Sequence, residues 1–387
     1  MKSYQHLYQR FLSANAGKQH FACHSHHYWP DVTRQAMLQY WDDSASLADD
    51  KWDVIFGKKV PAVQQHIAGI LNTQQPGQLV FAPNTHELLY RILSCLDWSR
   101  PLRILTTDSE FHSFNRQIDR LAELDNLVVE KVPTLPFADF EQRFAETAAA
   151  RDWDLIFVSQ VFFNSGLAVR DLGALVEAAP PQAIFVIDGY HGFMALPTDL
   201  SSVAGRAFYL AGSYKYAQGG EGCCFAHVPA NCDLRPLYTG WFAEFGELDQ
   251  AKDGRVSYST DGMRFAGATM DYSALYRLLA VLELFAQQGL TVEKVHQHVQ
   301  RCQQHFLGML DKLDHSLLNR AALVQHDADY HGHFLTFRLQ SPEQVQALHR
   351  HLKSHGVMTD ARGDRLRFGF ALYHDPGQYD LHCLEGL

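Results

Sequence analysis

The sequence predicts an α/β protein in which a mostly parallel sheet lies between helices, followed by a smaller C-terminal α+β unit. Three observations predict it. Short unbroken apolar runs recur between residues 79 and 211, as expected of strands buried on both faces. Stretches of helical pattern separate these runs, which implies crossover connections. A long helical pattern then intervenes, and beyond it strand and helix patterns alternate again.

The first 75 residues carry helical patterns, among them Val32 to Trp41 and Val60 to Leu71. Leu79-Val80-Phe81 predicts the first strand, and Glu87 to Leu96 the helix after it. Further strands are expected at Arg103 to Thr106, Leu127 to Val132, Leu155 to Val158, Ile184 to Ile187 and Ala207 to Ala211. From Tyr272 to Gln288, Leu275, Leu278, Leu279, Leu282 and Phe285 share one helical face. His333 to Leu339 and Arg365 to Phe370 read as strands, and Glu343 to His355 as a helix. We place a large unit with an N-terminal arm at 1–270 and a small unit at 271–387.

Composition narrows the function. The 387 residues are 47% hydrophobic and 20% charged, as in a soluble globular protein. A formal net charge of −10 argues against a nucleic-acid partner, which needs a positive surface. No apolar run approaches the roughly 20 residues needed to span a bilayer. The polar stretch Met1 to His20 lacks the apolar middle of a signal peptide. Seven scattered cysteines, an odd number, fit a reduced, cytoplasmic protein. His24, His26 and His27 lack a spaced partner motif, so the loop is read as solvated or substrate-facing and no metal is expected.

The chemistry begins with Ile184-Phe185-Val186-Ile187-Asp188, a strand that ends in an acid. Functional groups of open parallel sheets sit beyond the carboxyl ends of strands. One strand later, Lys215 follows Ala207 to Ala211 and precedes Gly219, Gly220 and Gly222. The glycines are expected to let the backbone pass close to a bulky ligand. A lysine in such a pocket can lose its proton and attack a carbonyl. Pyridoxal 5′-phosphate (PLP) needs this pair: a lysine for its Schiff base and a carboxylate on its ring nitrogen.

The stretch Ser213-Tyr214-Lys215-Tyr216, followed by glycines, resembles kynureninase and the wider class V aminotransferase family of PLP fold type I. Asp188-Gly189-Tyr190-His191 is similar to the family's Asp-x-x-His. Leu237 to Phe242 resembles the kynureninase Gly-Trp-Phe segment, and Arg264 to Thr269 a segment that reaches the neighbouring subunit's PLP phosphate. Leu366-Arg367-Phe368-Gly369 resembles the strand whose arginine holds a substrate α-carboxylate. The resemblance implies a homodimer with sites at the interface and catalytic roles for Lys215, Asp188 and His191. It implies cofactor contacts from Asn84, Thr85, Phe111, Ser165, Ser213, Tyr214, Trp241 and Thr269, and substrate contacts from Arg367, Trp29 and Phe242. Asn84 and Thr85 suit a phosphate at a helix N-terminus, or a plain N-cap. Phe111 matches the ring that stacks on PLP, with His112 as the alternative.

The sequence departs from its relatives at three places. Phe163 stands where many place a polar side chain near the cofactor, with Asn164 and Ser165 as substitutes. Gly267 stands where kynureninases carry an asparagine, and Cys23 to Trp29 replaces the usual N-terminal loop. The expected activity is that of a PLP enzyme on an α-amino acid, favouring an aromatic or bulky one in a pocket that Tyr28, Trp29, Trp241 and Phe242 help to build. Lys215 would take the α-proton, and Cβ–Cγ hydrolysis or transamination would follow. Cysteine desulfuration needs a cysteine before the C-terminal strands, and none occurs from His315 to Arg365. A non-catalytic PLP-fold binding protein is opposed by the intact Asp188, Lys215 and Arg367.

Overall fold

The computed structural model describes residues 4–245, 254–326 and 328–386. Seven strands form the central sheet: β1 (Leu79–Ala82), β2 (Leu102–Thr107), β3 (Leu127–Val132), β4 (Leu155–Ser159), β5 (Ile184–Asp188), β6 (Ala207–Gly212) and β7 (Cys224–His227). Their spatial order is β1-β7-β6-β5-β4-β2-β3. Strands β2 to β6 run parallel, while β7 is antiparallel to both β6 and β1. Six strands fall where the apolar runs place them. Strand β7 was not expected, because Cys224-Phe225-Ala226-His227 is short and directly follows the glycine turn.

The sheet is buried on both faces. Leu155 and Phe157 of β4 belong to one hydrophobic cluster, Ile156 and Val158 to the other. Val186 of β5 and Phe208 and Leu210 of β6 join the first; Phe185, Ile187, Tyr209 and Ala211 join the second. Full burial of each such aliphatic or aromatic side chain contributes about 1.5–3 kcal/mol. The flanking helices are α1 (Val32–Leu47), α2 (Val60–Ile70), α3 (Thr85–Leu93), α4 (His112–Leu121), α5 (Phe140–Ala149) and α6 (Leu172–Ala178).

Helix α7 (Ser273–Gln287) packs on α1 and contributes Leu275, Leu278 and Leu282 to one of the main clusters. That cluster also takes in Phe334 and Tyr373 from the C-terminal part of the chain. Helix α8 (Val292–Leu313) comes next, then the strands β8 (Phe334–Arg338), β9 (Asp360–Arg362) and β10 (Arg365–Gly369), with α9 (Pro342–Ser354) between β8 and β9. The three strands form an antiparallel sheet in the order β9-β10-β8. Phe306, Phe337, Leu348, Leu366 and Phe368 share a third cluster. Strand β10, which carries Arg365 and Arg367, is the middle strand of this sheet.

The N-terminal arm runs across the molecule. Gln19 and His20 pair in parallel with Val357 and Met358. The Tyr8 hydroxyl donates to Gln218 Oε1 at 2.5 Å. His24 and His27 are buried, which corrects the expectation of a solvated loop. No described helix is long and apolar enough to cross a membrane.

Candidate active site

The carboxyl ends of β4, β5 and β6 converge on a cavity of about 200 Å³. Asp188 ends β5 and lies in register with Ser159, which ends β4. Lys215 lies just beyond β6. The cavity is lined by Asn84, Thr85, His86, Phe111, Ser113, Ser159, Val161, Phe163, Asp188, Tyr190, His191, Tyr214 and Lys215. Chain direction explains the convergence, since parallel strands present their C-terminal ends to one rim.

Lys215 is 9% exposed. Its Nζ lies 2.6 Å from His191 Nε2, 5.3 Å from the Phe111 ring centre and 5.2 Å from that of Tyr190. Burial pushes its ammonium down to about 7, against the pull of Asp188. Burial raises the Asp188 carboxyl, opposed by the Tyr190 N–H, which donates to Oδ1 at 2.9 Å, and by Lys215. Burial and then Lys215 hold the His191 imidazole well below its ordinary range, so it stays neutral. A neutral imidazole can accept a hydrogen bond from the lysine amine.

Behind the cavity wall lies a second carboxyl, which the sequence reading did not single out. Glu110 is 1% exposed. It accepts from Thr107 Oγ1 at 2.7 Å, from Ser159 Oγ at 2.5 Å and from the Ser159 N–H at 3.2 Å. Burial lifts it from 4.5 to about 8, Ser159 and Thr107 oppose the rise, and Asp188 adds to it. Glu110 thus ties the ends of β2 and β4 together from beneath. The only sequence signal was an acid between a strand end and the Phe111-His112 pair.

Arg367 is buried and already engaged. Its Nη1 donates to the Phe163 carbonyl and its Nη2 to Asp360 Oδ2, while its Nε has no protein partner. Arg365 Nη1 donates to the adjacent Asn164 carbonyl at 2.7 Å. Both arginines therefore reach the 163–164 loop from one face of β10. His24 Nε2 lies 3.5 Å from Asp360 Oδ2, and its ring stacks on Phe334 at 4.7 Å. Phe334 also meets the rings or cations of His191 and Arg367.

Several expected site residues lie elsewhere within the chain. Ser213 is buried, and its hydroxyl donates to the Gly220 carbonyl at 2.5 Å. Ser165 is buried and accepts from the Leu167 N–H at 3.3 Å. Phe242 and Thr269 line a separate cleft of about 180 Å³ with Glu87, Arg91 and Tyr238. Trp241, 47% exposed, lies against Phe242 with its ring tilted by 42°. Tyr28 packs between His20 and Tyr373. The rings that line the Lys215 cavity are instead Phe111, Phe163, Tyr190 and Tyr214, with His86 and His191. His112 is absent from the lining, so of the two stacking candidates Phe111 is the one at the cavity.

The glycine turn also has a different cause from the one expected. Gly220 has φ +72°, and a Cβ there would meet Trp29 at 2.4 Å. A Cβ on Gly219 would meet the backbone of Leu278 in α7 at 3.1 Å. The glycines therefore admit Trp29 and a helix rather than a ligand, and Trp29 lies against Arg277. Gly267 has a local reason too: a side chain there would strike the Arg91 guanidinium at 2.2 Å. Of the described residues, His351, His355 and Cys383 form the one group whose ligand atoms cluster as a metal needs, and none of them lines the Lys215 cavity.

The cavity residues fit PLP. An amine and a carboxylate sit on one rim, the Phe111 ring faces the amine, and Asn84 and Thr85 open α3 at the same cavity. Asn84 Oδ1 accepts from the Glu87 N–H at 2.9 Å, so the cap is real and coexists with the cavity position. The sheet order and this rim define a PLP-dependent α/β protein. The chain belongs to the aminotransferase class V family, whose model matches residues 29–366, and its cofactor is PLP.

Solved structures share the fold. The cystine C–S lyase C-DES, in complex with its product cysteine persulfide, has a TM-score of 0.79 at 19% identity, over 95% of this chain and 96% of its own. A cysteine desulfurase from Thermococcus onnurineus NA1 has a TM-score of 0.75 at 16% identity, over 97% and 95%. The cysteine desulfurase CsdA from Escherichia coli has a TM-score of 0.72 at 14% identity, over 95% and 94%. No curated protein matches the sequence.

Proposed function

We propose that the chain takes an α-amino acid, removes its α-proton with Lys215 and cleaves a bond at its β-carbon. The observation that carries this reading is the Lys215 amine, buried 2.6 Å from a neutral His191 in the cavity that Asp188 closes. A buried lysine with its ammonium near 7 is in part a free base at neutral pH. Bound PLP supplies the conjugated ring that takes up the electron pair left when the α-proton departs.

The chain's own residues do the rest. Lys215 Nζ receives the proton, and His191 Nε2, at 2.6 Å, keeps the amine oriented. Asp188 would pair with the cofactor's ring nitrogen, Asn84 and Thr85 at the start of α3 would hold its phosphate through helix N–H groups, and Phe111 would cover its ring. Arg367 would anchor the substrate carboxylate, and its Nε–H is the one guanidinium nitrogen without a protein partner.

Two likenesses support the β-carbon as the place of cleavage. The Ser213 to Tyr216 and Gly240 to Phe242 segments resemble kynureninase, which hydrolyses a Cβ–Cγ bond. The fold is shared with a cystine C–S lyase. The fold is also shared with cysteine desulfurases, but none of the seven free cysteines lines the cavity to carry a protein persulfide. We also propose a homodimer, with the Thr269 cleft facing the partner's cofactor, and a small C-terminal domain that begins near α7.

An amino-acid panel tests the reaction. Holoenzyme is incubated with kynurenine, cystine, cysteine and alanine, and products are followed by mass spectrometry. Cleavage products without a keto-acid acceptor support the proposal. Turnover that requires an acceptor and returns an intact carbon skeleton establishes transamination instead.

A further inference from the structure

The C-terminal segment holds a second constellation, remote in sequence from Lys215. His351 and His355 lie one helical turn apart at the end of α9. Residues at this spacing share a helix face. Cys383 belongs to a short helical turn, His382–Leu384, that packs beside them. One donor atom from each of the three lies within 4.8 Å of the others. The two imidazole rings are 4.5 Å apart.

The three side chains sit on a fixed frame. Leu352 of α9 and Leu381 and Leu384, on either side of Cys383, are all buried in the third hydrophobic cluster. The Gln19 amide bonds the Asp380 backbone in both directions, at 2.6 and 2.8 Å. His351 Nε2 is 2.7 Å from the Cys383 carbonyl, and His355 Nδ1 is 2.9 Å from the His351 carbonyl. A carbonyl only accepts, so each ring donates through that nitrogen and keeps a lone pair on the other. Metal-bound histidines are oriented by this kind of carbonyl contact.

We propose that His351, His355 and Cys383 bind a borderline-soft divalent cation, Zn²⁺ by its ligand chemistry, and that the ion clamps the C-terminal segment to α9. Two imidazoles and a thiol suit Zn²⁺ or Co²⁺ and not Mg²⁺ or Ca²⁺, which take oxygen ligands. His355 is exposed, so a fourth position is open to water. Asp380 and Glu385 flank the site and add negative charge around it.

Binding balances as a proton exchange. The metal–sulfur bond forms as the Cys383 S–H bond breaks, and the proton leaves to solvent.

The test uses Co²⁺ as the probe, added to reduced holoenzyme and read by absorbance. One equivalent per chain should bind, with a thiolate-to-cobalt band in the near ultraviolet and tetrahedral bands in the red. Zn²⁺ should displace it and raise the melting temperature. Cys383→Ser should lose the thiolate band. His351→Ala or His355→Ala should weaken binding by more than the roughly 10-fold to 100-fold that a lost supporting contact costs. None of the three side chains is fully buried, and melting curves without metal verify that each variant folds. A thiolate band that survives Cys383→Ser, or wild-type protein that shows no saturable cobalt absorption, overturns the site.

Discussion

Asp360 and Arg367 face each other across the β9–β10 ladder and form an ion pair inside the small sheet. Burial disfavours the Asp360 charge, yet the contacts with His24 and Arg367 hold its carboxyl below the usual range. A carboxylate of the chain thus occupies part of the fork expected to hold the substrate's. Asp360→Asn should bind a simple carboxylate such as 3-phenylpropionate about tenfold more tightly, the scale of one charge-assisted hydrogen bond. It should also lower stability by up to ~3 kcal/mol, since a buried charge loses its partner. Titration of the cofactor band and a thermal melt read the two effects. Arg367→Lys should weaken the same ligand without loss of PLP, because a lysine lacks the planar fork. Equal affinity in all three proteins would remove Arg367 from the carboxylate site.

Lys215→Ala should fold and bind PLP reversibly. After borohydride and denaturation it should retain no cofactor, whereas wild-type protein should. Turnover should fall by about 10²–10⁴-fold, the usual worth of a positioned base. Mass spectrometry of the reduced chains decides the matter, and a cofactor still attached to the variant would point to another lysine.

Asp188→Asn keeps the shape of the side chain and removes its charge. Loss of a preorganised electrostatic contact costs about 2.7–4 kcal/mol in the transition state. Turnover should drop by roughly 10²–10³-fold with the fold intact by circular dichroism. Near-normal turnover would mean that the ring nitrogen does not depend on this carboxylate.

Glu110 links stability to pH. Its folded value, about 8, lies above the ordinary 4.5, so between these values the folded chain binds more protons than the unfolded one. Stability attributable to this group is therefore full below pH 4.5, declines as pH rises, and is gone above about 8. Glu110→Gln cannot ionise and should flatten that decline. Denaturant midpoints across this range measure it. Parallel profiles for the two proteins would show that Glu110 is ionised in the fold.

Much of this architecture was legible because strands buried on both faces leave a strong mark. Ile184 to Asp188 and Ala207 to Gly212 stand out as runs that end at functional residues. Asp188 and Lys215 could be grouped from strand ends alone, whereas His191 came only from the family resemblance. Strand β7 escaped because its four residues pair through a turn, and pairing leaves no periodicity. Glu110 escaped because an isolated acid in a loop looks solvated until its neighbours are known. Trp29 misled for the same reason: an aromatic beside a histidine-rich loop suggests a pocket wall, but its ring fills the space that Gly220 leaves. Asp360 was invisible at the start of a three-residue strand and gains meaning only through its cross-strand partner.

The pairing of Gln19 with Val357 sets a schedule for biosynthesis. A ribosome releases residues 19 and 20 long before their partners 357 and 358. Throughout most of translation the backbone groups of residues 19 and 20 have no ladder to join, and Phe21 lacks its neighbours Phe306, Phe368 and Phe370. Contacts of such long sequence separation form late and slowly. Phe21 of the nascent chain thus stays unpacked until residue 370 has emerged, the interval in which it depends most on chaperones.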